Sequence, residues 1–376
     1  MKFDRKTVLL KIWRCCLTVV IGCIALLTAS CLVLQRDNGV GNNLQDTSFF
    51  ESSSQNESPS DGTEKNDTSA IESTDAVTTQ TEPSETEWDA PPAEEQPNGH
   101  VALDTEKYYQ YSFLSNEEKV IYKRIRVAAN EYQSEVNISN VNVKFENIPS
   151  IVRAFLLDNP QCFWLCGGFR YSEEMIYLNY TDGAVTDNTG YGVANHTLID
   201  ERRAQLEQAV RDILAAIPYD ATEYEKELLI HDYLTKTSRY ATEATTTPYI
   251  NGNLVSAFNA YGILVEHNGV CEGYTEAFQI LCYAVGINCT PIRSDDHTWN
   301  AVQIEGEWYQ VDVTWDDPVD QYGNSGNGTH DFFNLTDEEM YQTHTLTTDE
   351  QYAFMKIPQC TATQYRYRMP NREKVA

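Results

Sequence analysis

The feature that most constrains this 376-residue chain is a pair of strand-like runs separated by only two residues. Thr298–Ile304 and Glu307–Trp315 are rich in β-branched and aromatic residues, and Glu305-Gly306 between them predicts a tight hairpin. A two-residue turn fixes the register, because Ile304 must then pair with Glu307. Asp312 falls opposite Trp299, and His297 opposite Thr314. Side chains alternate between the faces of a strand, so His297, Trp299 and Asp312 share one face. Val302, Ile304, Tyr309, Val311 and Val313 share the other, which reads as a core face. Diagonal neighbours across a ladder lie roughly 7–8 Å apart, within reach of an imidazole and a carboxylate. A loop one residue longer would reverse the parity and separate them.

Directly upstream, Asn268-Gly269-Val270 interrupts structure before Cys271. A helical pattern follows, with Phe278, Leu281, Cys282 and Val285 on its apolar face and Gly286 at its end. Cys271 is therefore expected at a helix N-terminus, where unpaired N–H groups and the helix dipole favour a thiolate and can stabilise an oxyanion. A thiolate nucleophile also needs an acid/base and a group to orient it. The candidate catalytic residues are Cys271 as nucleophile, His297 as acid/base and Asp312 as orienting acid. Glu272 reads as an acid complementing the helix N-terminus. Trp299, Trp308 and Trp315 read as core and cleft wall, and His231 as a packing residue on a helix face. His267, His330 and His344 carry no assigned role, although either His330 or His344 could lie near the cleft.

The rest of the chain divides by composition. Residues 1–36 carry a charge of +5 around an uncharged apolar run from Cys15 to Leu34. That length and those flanks fit either a transmembrane anchor or a secretory signal. Leu27-Thr28-Ala29-Ser30-Cys31 also fits a lipoprotein signal with Cys31 lipidated. An uncleaved helix and a lipidated Cys31 both place the remainder outside the cytoplasm, anchored to the membrane. Residues 37–100, with a charge of −14, are poor in apolar groups and rich in Ser, Thr, Asp and Glu. They are expected to be a disordered tether, roughly 45 Å from end to end as a flexible coil.

Residues 101–195 are expected to form an N-terminal α+β extension. Its helix begins at Ser115-Asn-Glu-Glu118, with strands at Val141–Phe145 and Met175–Tyr180 and a turn at Asp158-Asn-Pro160. Helices over Leu198–Ile217 and Glu223–Thr237 open a catalytic domain spanning 196–345. The second of these helices carries Leu228, Leu229, Tyr233 and Leu234 on one side. Residues 241–253 read as a loop, and Thr336-Asp-Glu-Glu339 as a capping box starting a short helix. Residues 346–376 form a tail that packs on the core. Helices first and strands later make the fold class α+β.

Residues 101–376 carry a charge of −20, which repels phosphate backbones and argues against nucleic acid as a partner. No phosphate-binding loop, dinucleotide fingerprint or Ca²⁺ loop appears, so no cofactor is expected. Cys162 and Cys166 are open to a disulfide. Without a second Cys/His pair at ligand spacing they predict no zinc site, and no metal is expected.

Gly269-Val-Cys-Glu-Gly-Tyr274, Asp296-His-Thr-Trp-Asn300 and Glu307-Trp-Tyr-Gln-Val-Asp-Val-Thr-Trp-Asp-Asp-Pro318 closely resemble the transglutaminase-like superfamily, particularly its exported bacterial members. Weaker resemblance extends to His231-Asp-Tyr-Leu234, Asp158-Asn-Pro-Gln-Cys-Phe-Trp164 and Phe332-Phe-Asn-Leu335. It implies a papain-like core, with a nucleophile helix packed on an antiparallel sheet. It gives Cys271, His297 and Asp312 the roles already read from their positions. Animal members have Trp after the nucleophile where this chain has Glu272, and their upstream oxyanion aromatic has no counterpart that the sequence identifies. The resemblance implies chemistry on amide bonds of proteins or peptides, including wall peptides, through a Cys271 thioester. Hydrolysis is favoured over protein-glutamine γ-glutamyl transfer, since no amine site is apparent. A catalytically inactive binding module is the alternative from another class.

Overall fold

The computed structural model describes residues 45–47, 99–180, 194–247, 249–250, 253–254, 256–319 and 328–368. The expected anchor over residues 1–36 lies outside them, as does most of the 37–100 tether. Among the described residues no helix is long and apolar enough to cross a membrane. Two parts of the expected tether join the fold, one of them His100, which is buried with its Nε2 2.9 Å from Ile217 O. The other, Gln45–Thr47, forms a strand, β1, antiparallel to residues 169–171.

The first half of the described chain builds a helix pair over a four-stranded antiparallel sheet. After the short helix α1 (Tyr109–Ser112) comes α2 (Asn116–Asn130), whose start is set by a reciprocal capping box between Ser115 and Glu118. Ile121, Tyr122, Ile125, Ala128 and Ala129 form its buried face. Strand β2 (Glu135–Asn137), helix α3 (Ile148–Asp158) and strands β3 (Leu165–Tyr171) and β4 (Met175–Tyr180) follow, in the sheet order β1-β3-β4-β2. The expected strand at Val141–Phe145 is absent. There Val141 N–H donates to Ile138 O and Val143 N–H to Val141 O, both at 3.0 Å. These tight local bonds kink the segment, while Val141, Val143 and Phe145 still pack against the core.

The second half carries the site. Helices α4 (His196–Ala215) and α5 (Glu223–Thr237) lead to a small parallel pair, β5 (Arg239–Tyr240) with β8 (Asn268–Gly269). Between those strands the expected loop contains helix α6 (Thr242–Thr246), the miniature hairpin of β6 (Tyr249–Ile250) and β7 (Asn253–Leu254), and helix α7 (Ala260–Leu264) just beyond it. Helix α8 (Cys271–Ala284) then packs on a three-stranded antiparallel sheet of β9 (Cys289–Arg293), β10 (Thr298–Ile304) and β11 (Glu307–Val311), in the order β11-β10-β9. Helix α9 (Asp337–Met340) starts at the expected capping box.

Helix α5 turns a different face inward from the one its leucines suggest. Its buried residues are Glu227, Ile230, His231, Leu234 and Thr235, whereas Leu229 is exposed. Leu228 and Tyr233 pack only at the margin. Glu227 is held by a 2.8 Å bond from Asn334 Nδ2, and His231 by Asp316. Two buried polar contacts thus rotate the helix away from its hydrophobic reading.

One continuous apolar cluster runs from Leu103 to Phe333, and Ala362, Tyr365 and Tyr367 of the tail pack against it. A smaller cluster lies on the other face of the β9–β11 sheet, built on Ile292, Trp299, Ala301, Leu335, Met340 and Cys360. Cys282 is a core residue, as its position in the apolar stripe predicts. The side chain of Cys166 lies outside the described residues, and its pairing with Cys162 with it.

Candidate active site

The hairpin has the expected register. Asn300 pairs with Val311 and Ile304 with Glu307, across a turn in which Glu305 and Gly306 both take positive φ, 51° and 85°. Those angles are the signature of a primed two-residue turn, whose twist matches the strands. Val302, Ile304, Tyr309, Val311 and Val313 all enter the main core. The ladder ends at Val311, one residue before Asp312, and the chain turns there, with Asp316 N–H donating to Asp312 O at 3.2 Å. Asp312 therefore sits at the mouth of a turn, and the Glu307–Trp315 strand is shorter than the sequence suggests.

Cys271 is the first residue of α8, and Val270 before it offers no side-chain cap. The first-turn N–H groups are left without that partner, which suits an anion at this end. Two contacts seat the helix. Asn300 Nδ2 of β10 donates to Thr275 O at 3.1 Å. At Gly273 a Cβ would come within 2.9 Å of Ala257 O and 3.0 Å of Asn259 O, so the helix start fits there only without a side chain.

His297 immediately precedes β10, and its Nε2 donates to Asp312 Oδ2 at 2.6 Å. Its ring is 15% exposed, whereas Asp312 is wholly buried. Burial by itself lowers the basicity of His297, but the charge and hydrogen bond of Asp312, with a hydrogen bond to Cys271, override it and raise its pKa to about 10. Burial likewise opposes ionisation of Asp312, and the two histidines beside it outweigh that and hold it well below the usual carboxylate range. With Nε2 given to Asp312, the ring presents Nδ1 to the thiol. The structure thus brings Cys271, His297 and Asp312 into one chain of contacts.

Three further residues complete the site: Trp315, expected in the cleft wall, His344, given no role beyond nearness to the cleft, and Arg293, which the sequence did not single out. His344 Nε2 donates to the same Asp312 oxygen at 2.8 Å, and its Nδ1 meets Thr343 Oγ1 at 2.8 Å. Asp312 Oδ1 takes a third bond from Trp315 N–H at 3.0 Å. A buried carboxylate with three donors is fixed in place. Trp315 also stacks obliquely on His344, with ring centres 4.4 Å apart, and forms part of the site's wall. Arg293, at the end of β9, grips Glu272 through both nitrogens at 2.8 and 3.2 Å. Glu272 is thereby an anchor of the helix start, while Arg293 places a cation close to Cys271. No sequence spacing announces either His344 or Arg293, because both arrive from other segments.

Among the described residues, two groups bring metal-ligating atoms together. In one, His297, Asp312 and His344, the two Nε2 atoms already serve Asp312. The other is His231, Asp232 and His330.

Against known families, the profile of the transglutaminase-like superfamily matches residues 211–313. The chain carries a transglutaminase-like domain. The match ends one residue after Asp312 and includes Cys271 and His297. Kyphoscoliosis peptidases of Mus musculus and Homo sapiens are each 32% identical over an aligned stretch covering 16% of this chain and 11% of theirs. The chain thus spans about a tenth of the length of these curated relatives. Two solved structures are similar in part. A proposed cysteine protease from Cytophaga hutchinsonii shows 18% identity and a TM-score of 0.23, covering 35% of this chain and 45% of its own. A TGase crystal structure shows 13% identity and a TM-score of 0.27, covering 45% of this chain and 48% of its own. Both are too distant in shape to bear on the fold.

Proposed function

We propose that this protein is a cysteine hydrolase of amide bonds, acting on proteins or peptides outside the cytoplasm through a thioester on Cys271. The observation that carries the reading is the chain of contacts from Cys271 to His297 to the buried, triply held Asp312. A purely structural domain has no need of a protonated imidazole between a thiol and a carboxylate.

In the proposed reaction the Cys271 sulfur attacks the carbonyl carbon, and the helix N–H groups receive the oxyanion. The C–N bond breaks as His297 passes its proton to the departing amine, leaving an acyl thioester. Water then attacks, gives a proton to His297, and the thiolate leaves. Asp312 holds the imidazole oriented throughout. Hydrolysis is preferred to transfer because Arg293 and Glu272 occupy the flank of the nucleophile where animal transglutaminases carry Trp, and the peptidase name of the two curated relatives points the same way. The address outside the cytoplasm rests on residues 1–36 alone.

Two measurements test this. Iodoacetamide should label Cys271 far faster than Cys282, and His297→Ala should slow that labelling; equal rates at the two thiols would leave only a binding module. Incubation with a glutamine-containing protein and a fluorescent primary amine separates the reactions. New peptide termini without incorporated amine support hydrolysis. Incorporation that disappears in Cys271→Ala makes the protein a γ-glutamyl transferase instead.

A further inference from the structure

A second cluster, sharing no side chain with Cys271, His297 or Asp312, lies where α5 meets residues 328–334. His231 is wholly buried, and its Nε2 donates to Asp316 Oδ2 at 3.1 Å. In a neutral imidazole that bond leaves Nδ1 as a lone pair. Nδ1 is buried and has no hydrogen-bond partner. It points toward Asp232 Oδ1, 3.7 Å away, and His330 Nε2 meets that same oxygen at 2.7 Å. All three atoms lie within 4.8 Å of one another. Asp232 keeps its other oxygen for Lys236 Nζ at 2.6 Å.

We propose that His231 Nδ1, Asp232 Oδ1 and His330 Nε2 form a binding site for a divalent transition metal, with Zn²⁺ as the best-matched ion. Two imidazole nitrogens and one carboxylate oxygen suit Zn²⁺, whereas Ca²⁺ and Mg²⁺ require oxygen-rich shells. Three protein ligands leave one position for solvent. The outer partners are those a metal site uses. Asp316 binds the far nitrogen of His231 and so fixes its tautomer, and Asp316 is itself held by Thr329 Oγ1 at 2.7 Å and by Phe332 N–H. His330 is clamped flat against Tyr367, with centroids 3.8 Å apart at 9°. Phe333 walls off His231, with ring centres 4.9 Å apart. Two carboxylates around a buried imidazole attract a cation, and a proton is the metal's rival for Nδ1.

The ion would tie α5 to the 328–334 segment and, through Asp316, to the turn that starts at Asp312. It would be a clasp for the site rather than a participant in the acyl chemistry.

The test uses the full-length reduced protein and Zn²⁺ in equilibrium dialysis, with metal counted by mass spectrometry. His330→Gln and Asp232→Asn should each bind one equivalent less than wild type at micromolar free Zn²⁺, with unchanged circular dichroism. His344→Gln, at the other cluster, should keep wild-type stoichiometry. Asp316→Asn should weaken the site by about 10- to 100-fold without abolishing it. Equal stoichiometry and affinity in wild type and His330→Gln would overturn the proposal, as would loss of the same equivalent in His344→Gln.

Discussion

Replacing Asp312 by Asn keeps the shape of the side chain and removes its charge, at the point where the site is most tightly bonded. His297 has an ordinary pKa of 6.5, which burial lowers and which Asp312, with Cys271, raises to about 10. Without the carboxylate, only Cys271 opposes burial, and the charged form of the imidazole loses much of its advantage. A shift of one unit is about 1.4 kcal/mol, so losing the whole elevation would cost about 4–5 kcal/mol of preference for the charged ring. Cys271 supplies a share of it, and crediting Asp312 with about half leaves 2–3 kcal/mol. If the charged ring sustains the reactive thiolate, iodoacetamide labelling of Cys271 at pH 7.5 should fall about 30- to 150-fold. The assay is the second-order rate of alkylation at Cys271, followed by peptide mass spectrometry from pH 5 to 10. In wild type the fast rate should hold across neutral pH. In Asp312→Asn its rise should move to higher pH, and the two proteins should converge in alkali. The histidine also links to stability. A folded pKa above the unfolded one gives stabilisation that is complete below pH 6.5 and disappears as the pH passes through about 10. The variant should therefore lose less stability than wild type over that interval in urea titrations. A labelling rate at pH 7.5 within threefold of wild type would refute this account of the Asp312–His297 pair.

Three further outcomes follow from the packing. His344→Gln removes one donor from a buried carboxylate that keeps two others, so urea denaturation should show a loss of about 1.5–3 kcal/mol, with a smaller fall in Cys271 labelling than Asp312→Asn gives. Gly273→Ala drives a methyl against two backbone carbonyls, and the overpacking should cost about 1–3 kcal/mol and lower the melting temperature. Glu227 is raised by burial from 4.5 to about 8, so wild-type stability should fall between those pH values, by no more than about 1.4 kcal/mol per unit, and Glu227→Gln should flatten that slope.

Local rules were readable from sequence wherever the cause was local. The capping boxes at Ser115 and Thr336 are each closed by a Glu three residues on, and both helices start there. The turn at Glu305-Gly306 allowed the register to be derived without knowledge of the remaining sheet. Misreadings arose where distant partners decide. Leu229 is exposed because Asn334 and Asp316 draw Glu227 and His231 inward from another part of the chain. Val141–Phe145 alternates like a strand, yet β4 takes β2 as its edge neighbour instead. His344 reaches Asp312 from 32 residues away, a contact that depends on how residues 328–344 wrap the sheet. The second cluster escaped for the same reason, since His330 and Asp232 are 98 residues apart.

The two-residue turn between β10 and β11 has a bearing on how such a chain can change over generations. Loops between α6 and α7 can lengthen at little cost beyond closure entropy. With the two-residue turn kept, one residue added in the strand beside Glu305-Gly306 would instead exchange the two faces of everything that follows, turning Val311 and Val313 out of the core and Asp312 away from His297. An insertion there is equivalent to several simultaneous substitutions, none of which repairs another. The shortest connection in the site is thus the place where length itself is under the strictest inheritance.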